Sequence, residues 1–438
     1  MPSISKSDNM AALALRGLAK SSFAMGQAME RISKGKRINR ASDDSSGLSI
    51  ASKMHAQTLG LNMSVRHANS GINILQTMEG SLSDQQNILQ RMRKLAVQSA
   101  SDTNAGIDRT FIQDEINQLN SELNKISVNT EYNGIKLLDG TLNRKITVGS
   151  DAESQIIVDA QSTDTGNLGA YQLSSLFENT GRNDTYESAA LSVNHLFHDQ
   201  ADYIVKGSFD TETAYVVTGA SASDVANSFN LLSDKTDIKA SAITKARLKI
   251  TGTDSYTFIL RGKSSNYSNI QFTINDIKNL NPLKDAINSV SSSTGIIASI
   301  SNDLSSVNII QSEGYNIVIS DFTSLNEQPK NLLVDAMDRN DNLSGNTLTL
   351  DGDVGSADST VIIGQVTLSS DKAFSITAGH AANHFAGQTT PELSSLSTIG
   401  NINLKTRNGA TEALTIIDNA LTTISRLRSV VGAKENHL

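Results

Sequence analysis

The stretch that decides the fold is Ser42–Ala100, SDDSSGLSIASKMHAQTLGLNMSVRHANSGINILQTMEGSLSDQQNILQRMRKLAVQSA. It contains no proline, and its apolar residues return at alternating gaps of three and four, the spacing of a coiled-coil seam. The seam runs through Ala51, Met54, Leu61, Val65, Ala68, Ile72, Leu75, Leu82, Leu89 and Ala96. One helix over this stretch would be roughly 90 Å long at the usual helical rise. A rod of that length predicts packing partners along its whole length.

The apolar seam weakens toward the end of this rod. Glu79, Gln86 and Arg93 occupy alternate seam positions, where a coiled coil normally carries apolar residues. We expect Met78 and Met92 to supply the apolar contact there, with the stripe drifting around the helix.

Three further segments share the helical period. Residues 5–33 form a predicted first helix, and Ser42 is the predicted N-cap of the rod. Asp108 is the predicted cap of a helix over residues 108–128, and Asn408 that of a last helix. The rod and the 108–128 helix must run antiparallel because their loop is short. The apolar residues predicted to form the core of the rod or of its assembly with partners are Leu61, Val65, Ile72, Leu75, Leu82, Leu89, Ile116, Leu119, Leu123, Ile417, Ile424 and Leu427.

The middle of the chain has a different composition. Of the 8 Tyr and 11 Phe residues, 15 lie within residues 177–385, where short apolar runs between turn residues predict strands. Ser223–Leu232 and Leu283–Val290 have a helical pattern there. Short apolar runs around and after the Asn133-Gly134 turn predict a small β appendage.

The predicted fold class is therefore α+β and multidomain. A long antiparallel coiled-coil or helical-bundle rod is built from both chain ends, and carries a small β-hairpin appendage and inserted mainly-β outer domains. We expect residues 1–42 to form an N-terminal helix and linker. Residues 43–172 and 397–438 would form the rod domain, and residues 173–396 the inserted variable region.

Composition argues against several classes of protein. The 438-residue chain has no cysteine, so neither disulfides nor thiolate metal sites are available. A net charge of −8 argues against a nucleic-acid partner. No membrane insertion is expected, because the apolar runs are shorter than the ~18 residues of a membrane span. The N-terminus lacks the apolar core and cleavage site of a secretory signal, so a secreted protein would need another export route.

Two histidine pairs have spacings that could share a metal ion on a helix. His195 and His198 are three residues apart, and His380 and His384 are four apart. Neither pair has the glutamate of the HExxH zinc motif, so surface or partly buried histidines are the favoured interpretation. The sequence also lacks a phosphate loop, a GxSxG motif and a dinucleotide fingerprint. It predicts no enzyme, no metal and no cofactor.

Ordered segments near both ends resemble bacterial flagellin, the subunit of the flagellar filament. The matching segments are Arg31-Ile32-Ser33, Gly35, Arg37-Ile38-Asn39, Ala41, Asp43-Asp44, Gly47, Gln76-Thr77, Glu79-Gly80, Leu89–Arg93, Leu95–Ala100, Tyr132-Asn133-Gly134, Leu137–Gly140, and Val430–Ala433 with Asn436. The resemblance covers roughly residues 1–165 and 400–438. In the middle, Leu283–Ile319 is similar to a helix-and-strands repeat of many flagellin insertions.

The resemblance implies a subunit that polymerises into the helical filament used for motility. In that family, the terminal helices line the inner tube, the rod domains form the wall and the insertion faces outward. The implied partners are further copies of the chain, the flagellar export apparatus and its chaperone, and the filament cap and junction proteins. The implied location is extracellular, on the bacterial flagellum, after export through its channel without a cleavable signal peptide.

The end of the sequence departs from the family pattern. Flagellins continue past the region of Asn436 into a further helix, which pairs with the N-terminal helix and serves chaperone binding. Because the sequence stops at Leu438, we expect either a fragment or a naturally shortened form with altered assembly.

Two other functions compete with the filament subunit. The hook–filament junction protein has flagellin-like ends, and the β insertion could act as an adhesin or receptor ligand. The C-terminal match and the run from Leu89 to Ala100 favour flagellin.

A recognition site is predicted on the rod. Arg91 and Leu95 are four residues apart on one helical face and lie off the seam, so both are expected to be exposed. By resemblance, Arg91, Leu95 and Glu115 match the flagellin residues engaged by the flagellin-sensing Toll-like receptor of vertebrates. Lys94 replaces the acidic residue common at its position.

Overall fold

The computed structural model describes residues 4–101, 106–149, 153–179, 201–217, 219–263, 267–301, 303–325, 331–344, 347–352, 358–378, 385 and 391–438. Helices and sheets both occur in this part of the chain, as the predicted α+β fold class requires. The two histidine pairs, His195 with His198 and His380 with His384, lie outside the described residues.

Helices form where the apolar period predicts them. They are α1 Ile4–Lys34, α2 Ser45–Ala100, α3 Gly106–Asn129, α4 Ala222–Asn230, α5 Ser233–Thr236, α6 Asn281–Ser289, α7 Ser291–Thr294 and α8 Arg407–His437. The long rod helix is thus confirmed as a single element of 56 residues.

The predicted N-caps need correction. Asp44, not Ser42, precedes α2 and accepts a hydrogen bond from the Gly47 N–H at 2.8 Å. Thr406, not Asn408, caps α8, because its hydroxyl accepts from the Gly409 N–H at 3.1 Å. Asp108 lies inside the first turn of α3 rather than before it, where its negative charge still favours the helix N-terminus. Several cap-forming residue types stand together at these starts, so composition alone places the cap to within two residues.

Strands account for most of the middle of the chain. They are β1 Glu131–Tyr132, β2 Ile135–Lys136, β3 Asn143–Thr147, β4 Gln155–Asp159, β5 Gly169–Ser174, β6 Glu178–Asn179, β7 Ala201–Lys206, β8 Thr211–Val216, β9 Lys239–Ile250, β10 Asp254–Arg261, β11 Ser268–Ile274, β12 Ile296–Ile300, β13 Val307–Gln311, β14 Ile317–Ser324, β15 Leu332–Met337, β16 Leu348–Leu350, β17 Thr360–Ile363, β18 Gln365–Ser370, β19 Ser375–Ala378, β20 Glu392–Leu393 and β21 Ser395–Thr398. Asn133 and Gly134 join β1 to β2 with φ values of 50° and 77°, a left-handed turn that asparagine and glycine tolerate.

One compact unit comprises Met1–Thr77, Leu142–Asp159 and Val431–Leu438. In it, the β3–β4 hairpin lies against α2, where the Ser64 hydroxyl donates to the Gly149 carbonyl at 2.5 Å. A Cβ atom on Gly71 would lie 2.6 Å from the end of the Ile146 side chain, so a larger residue here would require that side chain to move. Lys434 of α8 forms an ion pair with Asp159 at 2.5 Å.

The other unit comprises Met78–Thr141 and Ala160–Val430. Its largest sheet has the strand order β12-β13-β9-β18-β5-β21, with β15 pairing both β9 and β16. A second sheet has the order β11-β10-β14-β17-β6, and a third β20-β19-β7-β8. β5 and β21 are antiparallel neighbours, with Gln172 opposite Ser395, so the chain enters and leaves the inserted region side by side.

Aromatic residues fill the cores of these sheets, as their concentration in the middle of the chain predicts. Tyr256 stacks on Phe272 and Phe322, with ring centroids 5.4 and 5.7 Å apart. In a second cluster, Tyr203 packs against Phe229 and Phe385. Within the described residues, no helix is both long and apolar enough to cross a membrane.

Candidate functional site

The predicted rod core is buried to different degrees along the chain. Seven of its members are buried: Leu75, Leu82, Leu89, Ile116, Leu123, Ile417 and Ile424. Ile72, Leu119 and Leu427 are half-buried. Leu61 and Val65 are 51% and 60% exposed in the single chain, so their place in an assembly core stays a prediction. Their stretch of α2 has no helix covering its apolar stripe among the described residues.

Polar residues at the weak seam positions pair with α8. The Arg428 guanidinium donates to Glu79 Oε1 at 2.6 and 2.8 Å, and also bonds Gln86. Arg93 Nε lies 2.6 Å from Asp418 Oδ1, and this hydrogen bond raises the pKa of Arg93. Met78 and Met92 are buried, as predicted for these positions. The charged breaks in the apolar pattern therefore mark where α2 meets α8.

Two buried glutamines that the apolar pattern misses tie loops to these helices. Gln113 of α3 accepts from the Leu404 N–H at 2.6 Å and donates to the Ile402 carbonyl at 3.3 Å. Gln85 of α2 donates to the Thr163 hydroxyl at 2.9 Å. The one sequence signal for such residues is a glutamine directly beside an apolar helical seam.

The three predicted receptor-binding residues are neighbours, but one of them is buried. Arg91 of α2 and Glu115 of α3 form an ion pair at 2.6 Å, and their side chains are 48% and 39% exposed. Leu95 is only 3% exposed, so the prediction that it is reachable is wrong. One turn further along α2, Ser99 donates to the Leu404 carbonyl, and Arg109 donates to the Ser99 carbonyl. α2 is therefore covered on two sides here, which widens its buried face beyond one seam.

The most extensive uncovered apolar surface belongs to the helices nearest the N-terminus. On α1, Leu18 and Met29 are 68% and 67% exposed, and further residues of the same stripe are exposed as well. On α2, Met54 continues this exposure together with Leu61 and Val65. Contiguous exposed apolar surface of this kind marks an interaction site.

The described residues offer little for metal chemistry. In the ranges that the structure describes, no three His, Asp or Glu side chains come close enough to hold a metal ion.

The comparisons with known proteins bear on the helices just described. The family described as "Bacterial flagellin N-terminal helical region" matches residues 6–143, which include α1, α2 and α3. B-type flagellin of Pseudomonas aeruginosa is 29% identical over 432 residues, covering 96% of this chain and 84% of that protein. The N-terminal third of the chain is thus similar to bacterial flagellins, and a weaker similarity extends over nearly its whole length.

The extent of the matches differs among relatives. Polar flagellin F of Vibrio parahaemolyticus is 42% identical over 172 residues, 38% of this chain and 46% of that protein. A flagellin of Clostridium tyrobutyricum is 51% identical over 132 residues, 30% of this chain and 35% of that protein. The chain thus spans less than half the length of these two relatives.

Proposed function

We propose that this protein is a structural subunit that polymerises into the helical filament of the bacterial flagellum, and that it is not an enzyme. The observation that carries the proposal is the uncovered apolar stripe of α1 and the first half of α2. Copies of the chain can bury this stripe against one another. A contact between two different surfaces that does not close into a ring generates a helical polymer.

The competing roles fit less well. The relatives named above are flagellins rather than hook–filament junction proteins. An adhesin function of the insertion would coexist with polymerisation and does not replace it. In the proposed subunit, residues 1–42 and the rod domain of residues 43–172 and 397–438 form the tube and wall. Residues 173–396 face outward.

The proposed partners and location follow from this role. The subunit would reach the cell exterior through the flagellum's own channel without a cleavable signal peptide, assisted by the export apparatus and its chaperone. It would contact the filament cap and junction proteins at the two ends of the polymer.

Electron microscopy tests the filament proposal. We expect purified protein at high concentration, in a salt that strengthens apolar burial, to form regular filaments. Leu18→Asp should abolish them, because it places a charge on the proposed contact surface of α1. The matched control is Leu231→Asp, which changes another exposed leucine, just after α4. A parent protein that stays monomeric, or a Leu18→Asp variant that still polymerises, would reject the proposal.

A second proposed partner is the flagellin-sensing Toll-like receptor of vertebrate hosts. The exposed ion pair between Arg91 and Glu115 favours it, because a charged pair on two adjoining helices is accessible to a protein partner. Leu95 would act beneath this pair by holding α2 in place rather than by touching the receptor. Receptor signalling by monomeric protein should fall for Arg91→Ala and stay unchanged for Lys125→Ala, an exposed residue elsewhere on α3. Equal potency of all three folded proteins would exclude the site.

A further inference from the structure

A small polar cavity lies beside α8, inside the unit that contains the sheets. Its volume is about 210 Å³, and its lining includes Gln172 of β5, Ser241 of β9, Thr367 of β18, and Glu412 and Thr415 of α8. The rest of the lining comprises Ser174 of β5, Gln365 of β18, and Asp338, Arg339 and Asn340 in the loop after β15. Four structural elements and one loop converge on one space of this size, so the cavity is defined by the fold rather than by one surface side chain.

Arg339 enters this cavity with unused hydrogen-bonding capacity. Its guanidinium donates to the Ser241 hydroxyl at 2.7 Å, and its backbone N–H donates to Gln365 Oε1 at 3.1 Å. Its Nε–H is buried and has no partner among the described residues. Buried donors are nearly always satisfied in folded proteins, so this group points to an acceptor inside the cavity.

Glu412 provides the opposite charge on the α8 side of the cavity. Burial is the main cause of a raised pKa at Glu412, and the positive charge of Arg339 opposes that rise. Within the described residues no ion pair joins Glu412 to Arg339, so the two charges line one cavity without neutralising each other by direct contact. Asp338 also lines the cavity: its carboxylate accepts from Asn340 and Asn342 in its own loop, and its negative charge adds to the rise in the pKa of Glu412.

The loop that carries Arg339 is held in place. The buried Lys245 of β9 donates to the Arg339 carbonyl at 3.2 Å and forms an ion pair with Asp341. Asp341 also accepts from the Asn408 amide of α8 at 2.5 Å. The guanidinium is thereby positioned before any ligand arrives, which lowers the entropic cost of binding.

We propose that this cavity binds a small zwitterion of the free amino-acid class. The ligand carboxylate would accept from Arg339, and its ammonium group would donate to Glu412. At about 30 Å³ per water molecule, the cavity holds the equivalent of about seven waters, which matches an amino acid with a short side chain. This proposal does not depend on the proposed filament function.

Isothermal titration of the intact chain with L-serine, L-alanine and glycine tests the site. We expect saturable one-to-one binding of at least one of them, at least tenfold tighter than acetate or ethanolamine, each of which carries one of the two charges. If acetate binds as tightly as the amino acids, the cavity is a site for anions, and the proposal of a zwitterionic ligand is overturned. Absence of saturable binding by all three amino acids would leave water as the occupant and overturn the proposal.

Two variants and one control assign the binding to these side chains. Arg339→Gln and Glu412→Gln should each weaken amino-acid binding at least tenfold, whereas Lys263→Gln, an exposed lysine outside the cavity, should not change it. If Arg339→Gln fails to fold, as judged by its circular dichroism melt, the isosteric Glu412→Gln decides alone. Unchanged affinity in a folded Glu412→Gln variant would refute the proposal. Filament formation is expected to persist in all of them, so failure here is distinguishable from failure of the filament function.

Discussion

At the scale of the residue, charged side chains fix how α2 and α8 meet. Arg428 bridges Glu79 and Gln86, which stand one heptad apart on α2, so sliding α8 along α2 by one turn would break both contacts. Polar residues inside a seam commonly set its register at some cost in stability. Arg93 and Asp418 make a second, more exposed contact between the same helices.

Arg428→Ala should lower the free energy of unfolding. Two side chains on α2 would lose a partner, and a charge-assisted hydrogen bond at a partly buried site contributes about 1–2 kcal/mol. Urea denaturation followed by circular dichroism measures the change. Arg93→Ala serves as the comparison and should have a smaller effect, because solvent screens its exposed ion pair. Equal losses of unfolding free energy in the two variants would show that the contacts of Arg428 and of Arg93 contribute equally to stability, despite their different exposure.

Glu412→Gln should stabilise the protein at neutral pH. Burial raises the pKa of Glu412 in the folded state, opposed by Arg339 and reinforced by Asp338. A carboxyl with a raised folded-state pKa contributes stability below its unfolded pKa, and that contribution is lost as the pH rises through the folded pKa. The variant should therefore melt higher than the parent at pH 7, with the difference shrinking toward pH 4. The exposed Glu153→Gln should show no such pH dependence.

At the scale of the element, periodic apolar patterns predict helices well and predict buried strands less well. The rod helix carries its spacing over many turns, so its existence could be read from sequence. β18, Gln365–Ser370, is buried at every position although four of its six residues are polar, and no alternation reveals it. Leu95 was misassigned for a related reason: one seam predicts one buried face, whereas α2 is covered from two sides there.

Two leucines on α2 separate the packed from the unpacked part of its stripe. Leu75 is fully buried, so Leu75→Asp should cost several kcal/mol through an unpaired buried charge. Leu61→Asp makes the same change at a position that is 51% exposed, and should leave the monomer folded. Thermal melting monitored by circular dichroism distinguishes the two. If Leu75→Asp melts like the parent, the seam has been misassigned at this position.

At the scale of the whole molecule, the inserted region is predicted to be dispensable for polymerisation. Gln172 and Ser395 face each other across antiparallel strands, so an Asn-Gly turn between them should close β5 and β21 into a hairpin. The shortened protein should still form filaments by electron microscopy. Adding Leu18→Asp to it should abolish them. A folded deletion variant that does not polymerise would show that the inserted region supplies essential contacts.

The division into rod and insertion stays a prediction from composition, and its predicted boundary falls inside a strand. β5 contains the predicted boundary at residue 172 and pairs with β18 of the insertion on one side and β21 on the other. Arg426 of α8 also forms an ion pair with Asp371, just after β18. Aromatic content indicates that a segment helps to fill a globular core. It does not indicate which strands pair, because these strands are distant from one another in sequence. The cavity beside Arg339 could not be predicted for the same reason, because its lining comes from elements that are distant in sequence.

The adjacent strands β5 and β21 also form a site at which another folded domain could be inserted into the chain. Antiparallel neighbours hold their Cα atoms about 4.5–5.5 Å apart, so whatever is inserted between them needs only termini that lie equally close. Many folded domains meet this condition because their chain ends lie near each other at the surface. A foreign domain joined at Gln172 and Ser395 would then be carried once per subunit, which would turn the proposed filament into a regular array for displaying proteins at high density.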